Sequence, residues 1–182
     1  MVYVFLADGF EEIEALTPVD VLRRAGVSVS TVGITGECVT GSHGIKVASD
    51  ISANEALSKL ENEELEMIVL PGGMPGAENL DGSPVVSRFI EAAMEKDAYI
   101  AAICAAPMVL GKRGLLDGKL ATCYPGFEKY LTGAECHGVA VAVDGNIITS
   151  NGMGSALDFA LQLVAVLKGE AESDRIADAV MA

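Results

Sequence analysis

Aromatic side chains are scarce in this sequence, at 5% of residues against 51% hydrophobic overall. A core must therefore come from Val, Ile, Leu and Ala, the composition of layered α/β proteins whose parallel strands are buried on both faces. Basic residues are short too: 12 Lys and Arg stand against 26 Asp and Glu, a formal net charge of -14. So acidic a surface repels phosphate backbones and argues against nucleic-acid binding. No apolar run reaches the length of a membrane span. The opening residues, MVYVFLADGF, lack the basic start and long apolar stretch of a signal peptide. None of the four cysteines, Cys38, Cys104, Cys123 and Cys136, falls in a C-x-x-C pair, and a chain of 182 residues needs no disulfide staples. Cys123, Cys136 and His137 also lack the spacing of a zinc site. Together these absences predict a single cytoplasmic domain over residues 1–182, with free thiols and neither a metal nor an organic cofactor.

What is present alternates. Val2–Leu6, Met67–Leu70 and Tyr99–Ile103 are short continuous apolar runs that read as buried strands, and residues 27–34 are β-branched and strand-like. Helix-length stretches lie between them. Residues 13–25 end at Gly26, with Pro18 either opening or kinking the helix. Ala53–Leu60 has Ser52 or Asn54 as its cap, and residues 85–96 are entered through Ser83 and Pro84. Residues 106–112, 155–167 (ended by Gly169) and 172–181 complete the helices, and 119–122 is a short strand-like stretch. Two hairpins are marked by turn residues: Cys38–Thr40 with 45–48, and 139–143 with Ile147–Ser150. This rhythm predicts an open, mostly parallel sheet with helices on both faces, a three-layer α/β/α sandwich. Ligands of such sheets sit beyond the carboxyl ends of the strands, which selects residues 7–14, 71–76 and 104–107.

Each of these loops carries candidate chemistry. In YIAAICAAP a buried strand ends at Cys104, with Ala105, Ala106 and Pro107 permitting a sharp turn into a helix. That is the logic of a nucleophile elbow, and a thiol at a helix N-terminus is expected to have a lowered pKa. The competing reading is a buried, inert cysteine. In LPGGMPG, Gly72 and Gly73 let backbone N–H groups approach an anion, or simply turn the chain. In DGFEEIE, Glu11 and Glu14 share a helix face, and a carboxyl turned into an apolar pocket gains a raised pKa. Acidic residues also favour helix N-termini without any chemistry.

Taken together, FEEIEALTPVDVLRRAG, VLPGGMPGAENL, AAICAAP and ITSNGMGSALDFALQLVAVLKG resemble the ThiJ/PfpI superfamily, in particular its DJ-one branch, along nearly the whole chain. The resemblance implies a flavodoxin-like fold and a homodimer with the 13–25 helix near the interface. It implies that Cys104 is the oxidisable nucleophile, that Glu14 is a protonated carboxyl hydrogen-bonded to its sulfur, and that Gly72, Gly73 and Ala105 offer N–H groups to bound anions. Activities assigned to such proteins are a cofactor-independent glyoxalase acting on 2-oxoaldehydes, deglycation of early adducts, redox sensing through a cysteine sulfinate, and chaperone activity. The sequence departs from many relatives in having Cys123 and Tyr124 where they place a histidine near the cysteine. Ala105 follows the cysteine where the protease-like branch has histidine, and His137-Gly138-Val139 is not the histidine-x-glutamate pair of the amidotransferases. Peptidase and amidotransferase chemistry are therefore disfavoured. His43, one of only two histidines, sits at a hairpin tip that in dimeric relatives reaches toward the partner's site; a solvated loop tip is the simpler reading.

Two functional expectations use the same residues. In one, Cys104 and Glu14 process a 2-oxoaldehyde such as methylglyoxal or its glycated adducts. In the other, Cys104 is a redox sensor that oxidises to sulfinate.

Overall fold

Alternation along the first strand sets the architecture. In the computed structural model, which describes residues 1–182, β1 (Val2–Leu6) sends Val2, Val4 and Leu6 into one apolar cluster and Tyr3 and Phe5 into another. Successive strand side chains point to opposite faces, so both faces of the sheet are covered. The chain continues as α1 (Glu12–Arg24), β2 (Val29–Gly33), the hairpin β3 (Cys38–Thr40) and β4 (Lys46–Ala48), β5 (Ile51–Ser52) and α2 (Ala53–Leu60). Next come β6 (Met67–Leu70), α3 (Gly76–Asp81), α4 (Pro84–Glu95), β7 (Tyr99–Ile103) and α5 (Pro107–Gly111). The chain closes with β8 (Leu120–Ala121), β9 (Glu135–Cys136), β10 (Val141–Asp144), β11 (Ile147–Ser150), α6 (Ala156–Lys168) and α7 (Glu170–Val180).

Seven strands form the main sheet in the order β10-β11-β7-β6-β1-β2-β5. All neighbours are parallel except the edge pair β10 and β11. On the Tyr3 and Phe5 face lie α2, α4 and α5, contributing Leu60, Phe89 and Leu110. The Phe89 ring meets both Tyr3 and Phe5 edge-on at 5.0 Å, a favoured aromatic geometry. The opposite face is covered by α1, α6 and α7 through Leu22, Phe159 and Ile176. The expected three-layer α/β/α sandwich with a mostly parallel sheet is therefore present. No helix is long and apolar enough to cross a membrane.

Several local expectations are corrected. Pro18 does not open α1; it lies buried inside that helix, which starts at Glu12. The backbone hydrogen bond lost at a helical proline is outweighed by packing of α1 on the sheet and on α6. Ser52 rather than Asn54 caps α2, in a reciprocal capping box with Glu55. The 119–122 stretch supplies only β8, which pairs with β9 away from the main sheet. α3 was not foreseen, because its six residues are too few to show a helical period.

Register aligns the site. Val4 pairs with Val69 and Leu70 with Ala102, so the chain leaves β1, β6 and β7 at the same edge of the sheet. Three loops carrying candidate chemistry thus converge there, where the topology places ligand sites.

Candidate active site

Cys104 follows β7 with φ of +65°. A non-glycine residue in the left-handed region is costly and persists only where its surroundings hold it. Two hydrogen bonds do so: the Cys104 N–H donates to the Ser150 carbonyl at 2.8 Å, and its carbonyl accepts from the Tyr124 N–H at 2.8 Å. Ala105 and Ala106 are buried and small enough for the tight turn. The thiol is half-buried, whereas Cys123 is buried and Cys38 and Cys136 are exposed.

Glu14 reaches the same point from the first turn of α1 and is 1% exposed. Its Oε2 accepts the Gly72 N–H at 3.0 Å and the carboxyl meets the Cys104 thiol. The Gly72 N–H, expected to face an anion, thus serves Glu14 instead. Glycine is required here by close approach: a Cβ on Gly72 would lie 2.7 Å from both the Cys104 Cβ and the Glu14 carboxyl. The N–H groups of Gly73 and Ala105 point at the Cys104 sulfur.

Electrostatics follow from this packing. Burial drives the Glu14 carboxyl up to about 7, with the Glu11 charge adding, against the pull of the Cys104 thiol and the Gly72 N–H. For Cys104 the lowered pKa expected of a helix N-terminus is not found. Burial pushes the thiol up to about 12, the Glu14 charge and hydrogen bond add to it, and the Gly73 and Ala105 N–H groups oppose. The physical reason is the burial of the sulfur with the Glu14 carboxyl against it, which outweighs the two N–H groups. The first proton to leave the pair is therefore the carboxyl's, which puts a carboxylate base beside a thiol at neutral pH.

His43 lies at the tip of the β3–β4 hairpin, exposed, with Nδ1 at 3.0 Å from a Glu12 carboxylate oxygen and 3.4 Å from Glu11. Both carboxylates belong to its own chain, and they raise the imidazole pKa. Tyr124 is exposed, and its backbone N–H holds the Cys104 carbonyl. Burial pushes the Cys123 thiol up to about 12 as well, with Glu128 and Cys136 adding; what sets it apart from Cys104 is that it is buried, out of reach of a substrate. His137 is exposed beside β9. Sequence reasoning overlooked Glu12, which is 4% exposed and gathers donors from the hairpin. The available signal was the small-residue tip Gly41-Ser42-His43-Gly44, which a carboxylate can enter closely.

Fold and site define a class: an open-sheet α/β protein organised around a cysteine elbow with a buried carboxyl partner. The model of the DJ-1/PfpI family matches residues 1–166, and the chain belongs to that family. Protein dj-1beta of Drosophila melanogaster is 36% identical over 181 residues, covering 98% of this chain and 95% of that protein. A Caenorhabditis elegans protein named glutathione-independent glyoxalase DJR-1.2 is 31% identical over 167 residues, covering 91% of this chain and 87% of its own. The solved structure of oxidized Toxoplasma gondii DJ-1 superimposes with a TM-score of 0.91 at 37% identity, covering 99% of this chain and 97% of that one.

Proposed function

We propose that this protein converts 2-oxoaldehydes such as methylglyoxal into 2-hydroxy acids without a cofactor, and acts on early glycated adducts by the same chemistry. The observation that carries this reading is the Glu14 carboxyl, buried, able to hold a proton near neutrality and set against a thiol on a strained elbow. The similarity to the glyoxalase-named worm protein supports it.

The reaction runs as follows. As the Cys104 sulfur bonds to the aldehyde carbon, the carbonyl electrons move to oxygen and the thiol proton passes through the Glu14 carboxylate to that oxygen, giving a hemithioacetal. Glu14, as carboxylate, removes the proton on that carbon, and the electrons form an enediol with the neighbouring ketone. The proton returns to the second carbon, leaving a thioester. Water cleaves the carbon–sulfur bond, releasing the hydroxy acid and the Cys104 thiol. The Gly73 and Ala105 N–H groups, which face the sulfur, stand where a developing oxyanion needs donors.

A homodimer belongs to this proposal. Ile13, Leu16 and Ile45 are exposed apolar residues around one cleft on α1 and the β3–β4 hairpin, lined also by Leu157 and Val180. An apolar face of this kind favours a partner. In the dimer His43, which meets the cleft residue Glu12, would face the second subunit.

The redox reading rests on the same Gly73 and Ala105 donors, which suit a sulfinate oxygen, with Glu14 donating to the other. Lactate formation from methylglyoxal by the purified protein, beside Cys104→Ser and Glu14→Gln, separates the two. Turnover lost in both variants supports the enzyme. Turnover no higher in the parent than in Cys104→Ser sinks it and leaves the sensor.

A further inference from the structure

Besides Glu14, one other carboxyl is buried, and the proposed reaction does not use it. Glu12 is 4% exposed and lies two residues before Glu14 on α1. Its Oε1 accepts the backbone N–H of His43 at 2.9 Å and that of Ile45 at 3.3 Å, and its Oε2 meets the His43 Nδ1 at 3.0 Å. The Ser42 hydroxyl reaches both carboxylates, donating to Glu11 at 3.2 Å and to Glu12 at 3.4 Å. Gly41 packs directly on the Glu12 side chain, leaving no space for a Cβ. So many donors on one carboxylate make a strong, directional joint. Burial would raise Glu12, but the His43 ring and the backbone donors outweigh it and hold the carboxyl down at about 2.

The joint ties the hairpin to the segment that carries the chemistry. The Ser42 N–H donates to the Phe10 carbonyl at 2.7 Å, and the Gly9 N–H donates to Thr40 at 2.8 Å. On the other side the Glu11 N–H donates to the Gly72 carbonyl at 3.0 Å, while the Gly72 N–H donates to Glu14. The Gly72 residue is therefore gripped by residues on either side of Glu12. We propose that Glu12 is a positioning residue: by latching the β3–β4 hairpin onto the first turn of α1, it holds the Glu14 carboxyl between Gly72 and Cys104. Its kinetic arm rests on the reaction proposed above; its structural arm does not.

The groups that face this joint are Glu11 and Glu12 of α1 and Ser42 and His43 of the hairpin; those that face Glu14 are Cys104 and, by charge, Glu11. The test is the isosteric Glu12→Gln, read in two ways on folded protein. One is kcat and KM for methylglyoxal. The other, independent of turnover, is the pH dependence of iodoacetamide alkylation at Cys104, followed by mass spectrometry so that the other thiols do not interfere. With Glu14 no longer held against the sulfur, the charge and hydrogen bond that raise the Cys104 thiol are lost, so the midpoint of alkylation falls by about one pH unit. In the same variant kcat falls about ten- to a hundredfold with little change in KM. An unchanged midpoint and kcat, with only a lower melting temperature, would overturn the latch. A shifted midpoint with kcat intact supports the latch and removes Glu14 from catalysis. Should the parent itself lack turnover, the reaction reading falls and the alkylation midpoint still decides the latch. If Glu12→Gln does not fold, His43→Gln, which keeps the backbone donors and removes the ring, takes its place. A smaller downward shift supports the proposal and no shift overturns it.

Discussion

Glu12 and Glu14 sit two residues apart on one helix, both nearly inaccessible, and their protons behave oppositely: one carboxyl is held at about 2, the other is raised to about 7. Burial pushes both in the same direction, so burial does not distinguish them. Donors do. Glu12 collects two backbone N–H groups, a hydroxyl and an imidazole, and is a fixed anion. Glu14 receives one N–H and faces a thiol, so it keeps its proton near neutrality. A buried carboxylate with its hydrogen bonds filled is a joint; one left short of donors is a reagent.

The sharpest way to break this contrast is to remove the reagent. Cys104→Ser is expected to abolish lactate formation from methylglyoxal, and Glu14→Gln to lower kcat by about 10²–10⁴-fold, the range of a lost general acid–base. Both variants should keep the parent's circular dichroism, since Gln still accepts the Gly72 N–H. A Glu14→Gln enzyme within twofold of the parent would end the claim that the two carboxyls differ in role.

Next in size is the wall between the partners. In Gly72→Ala the added methyl would lie 2.7 Å from both the Cys104 Cβ and the Glu14 carboxyl. Either Glu14 or the elbow must shift, so kcat should fall about tenfold or more, with stability lowered by about 1–3 kcal/mol. Full activity in this variant would mean that the close approach of thiol and carboxyl is not needed.

The pH profile sharpens the comparison further. Below about 7 both members of the Glu14 and Cys104 pair are protonated; above it Glu14 becomes the carboxylate that the proposed reaction needs as its base. Turnover measured from pH 5 to 9 should therefore rise through about 7. Glu14→Gln should lose that limb, whereas Glu12, already ionised, adds none of its own in this range. A profile flat across neutrality would contradict the assignment.

How much of this was legible beforehand follows the range of the interactions. The buried strands, the elbow at Cys104 and a carboxyl close after the first strand are encoded in adjacent residues: apolar runs, small residues around a cysteine, and acidic residues after a strand; that Glu14 is the carboxyl at the sulfur came from the family resemblance. Local rules leave open whether Pro18 starts α1 or lies within it, and packing against α6, far along the chain, bears on the outcome. The direction of the Cys104 shift was missed for the same reason. Helix position is visible in sequence, but the depth of the pocket and the charge beside the sulfur come from three separate loops meeting. Glu11, Glu12 and Glu14 look alike as letters; only the hairpin more than two dozen residues later tells Glu12 from Glu14.

Stability against pH gives the smallest effect and the cleanest opposition of sign. Glu14 has a folded pKa raised above the ordinary 4.5, so the folded state binds its proton more tightly than the unfolded chain does. Its stabilising share is complete below 4.5 and is lost as pH rises toward about 7. Glu12 is depressed to about 2; its share is present above 4.5 and lost as pH falls toward 2. Urea unfolding should then find Glu14→Gln more stable than the parent at pH 8, by on the order of 2 kcal/mol, with the advantage gone near pH 4. Glu12→Gln should be less stable than the parent at pH 7, by on the order of 2 kcal/mol, as buried donors lose a charged acceptor, and the gap should close toward pH 3. If both variants moved in the same direction with pH, the division into joint and reagent would be wrong, because donors and not burial are what set the two carboxyls apart.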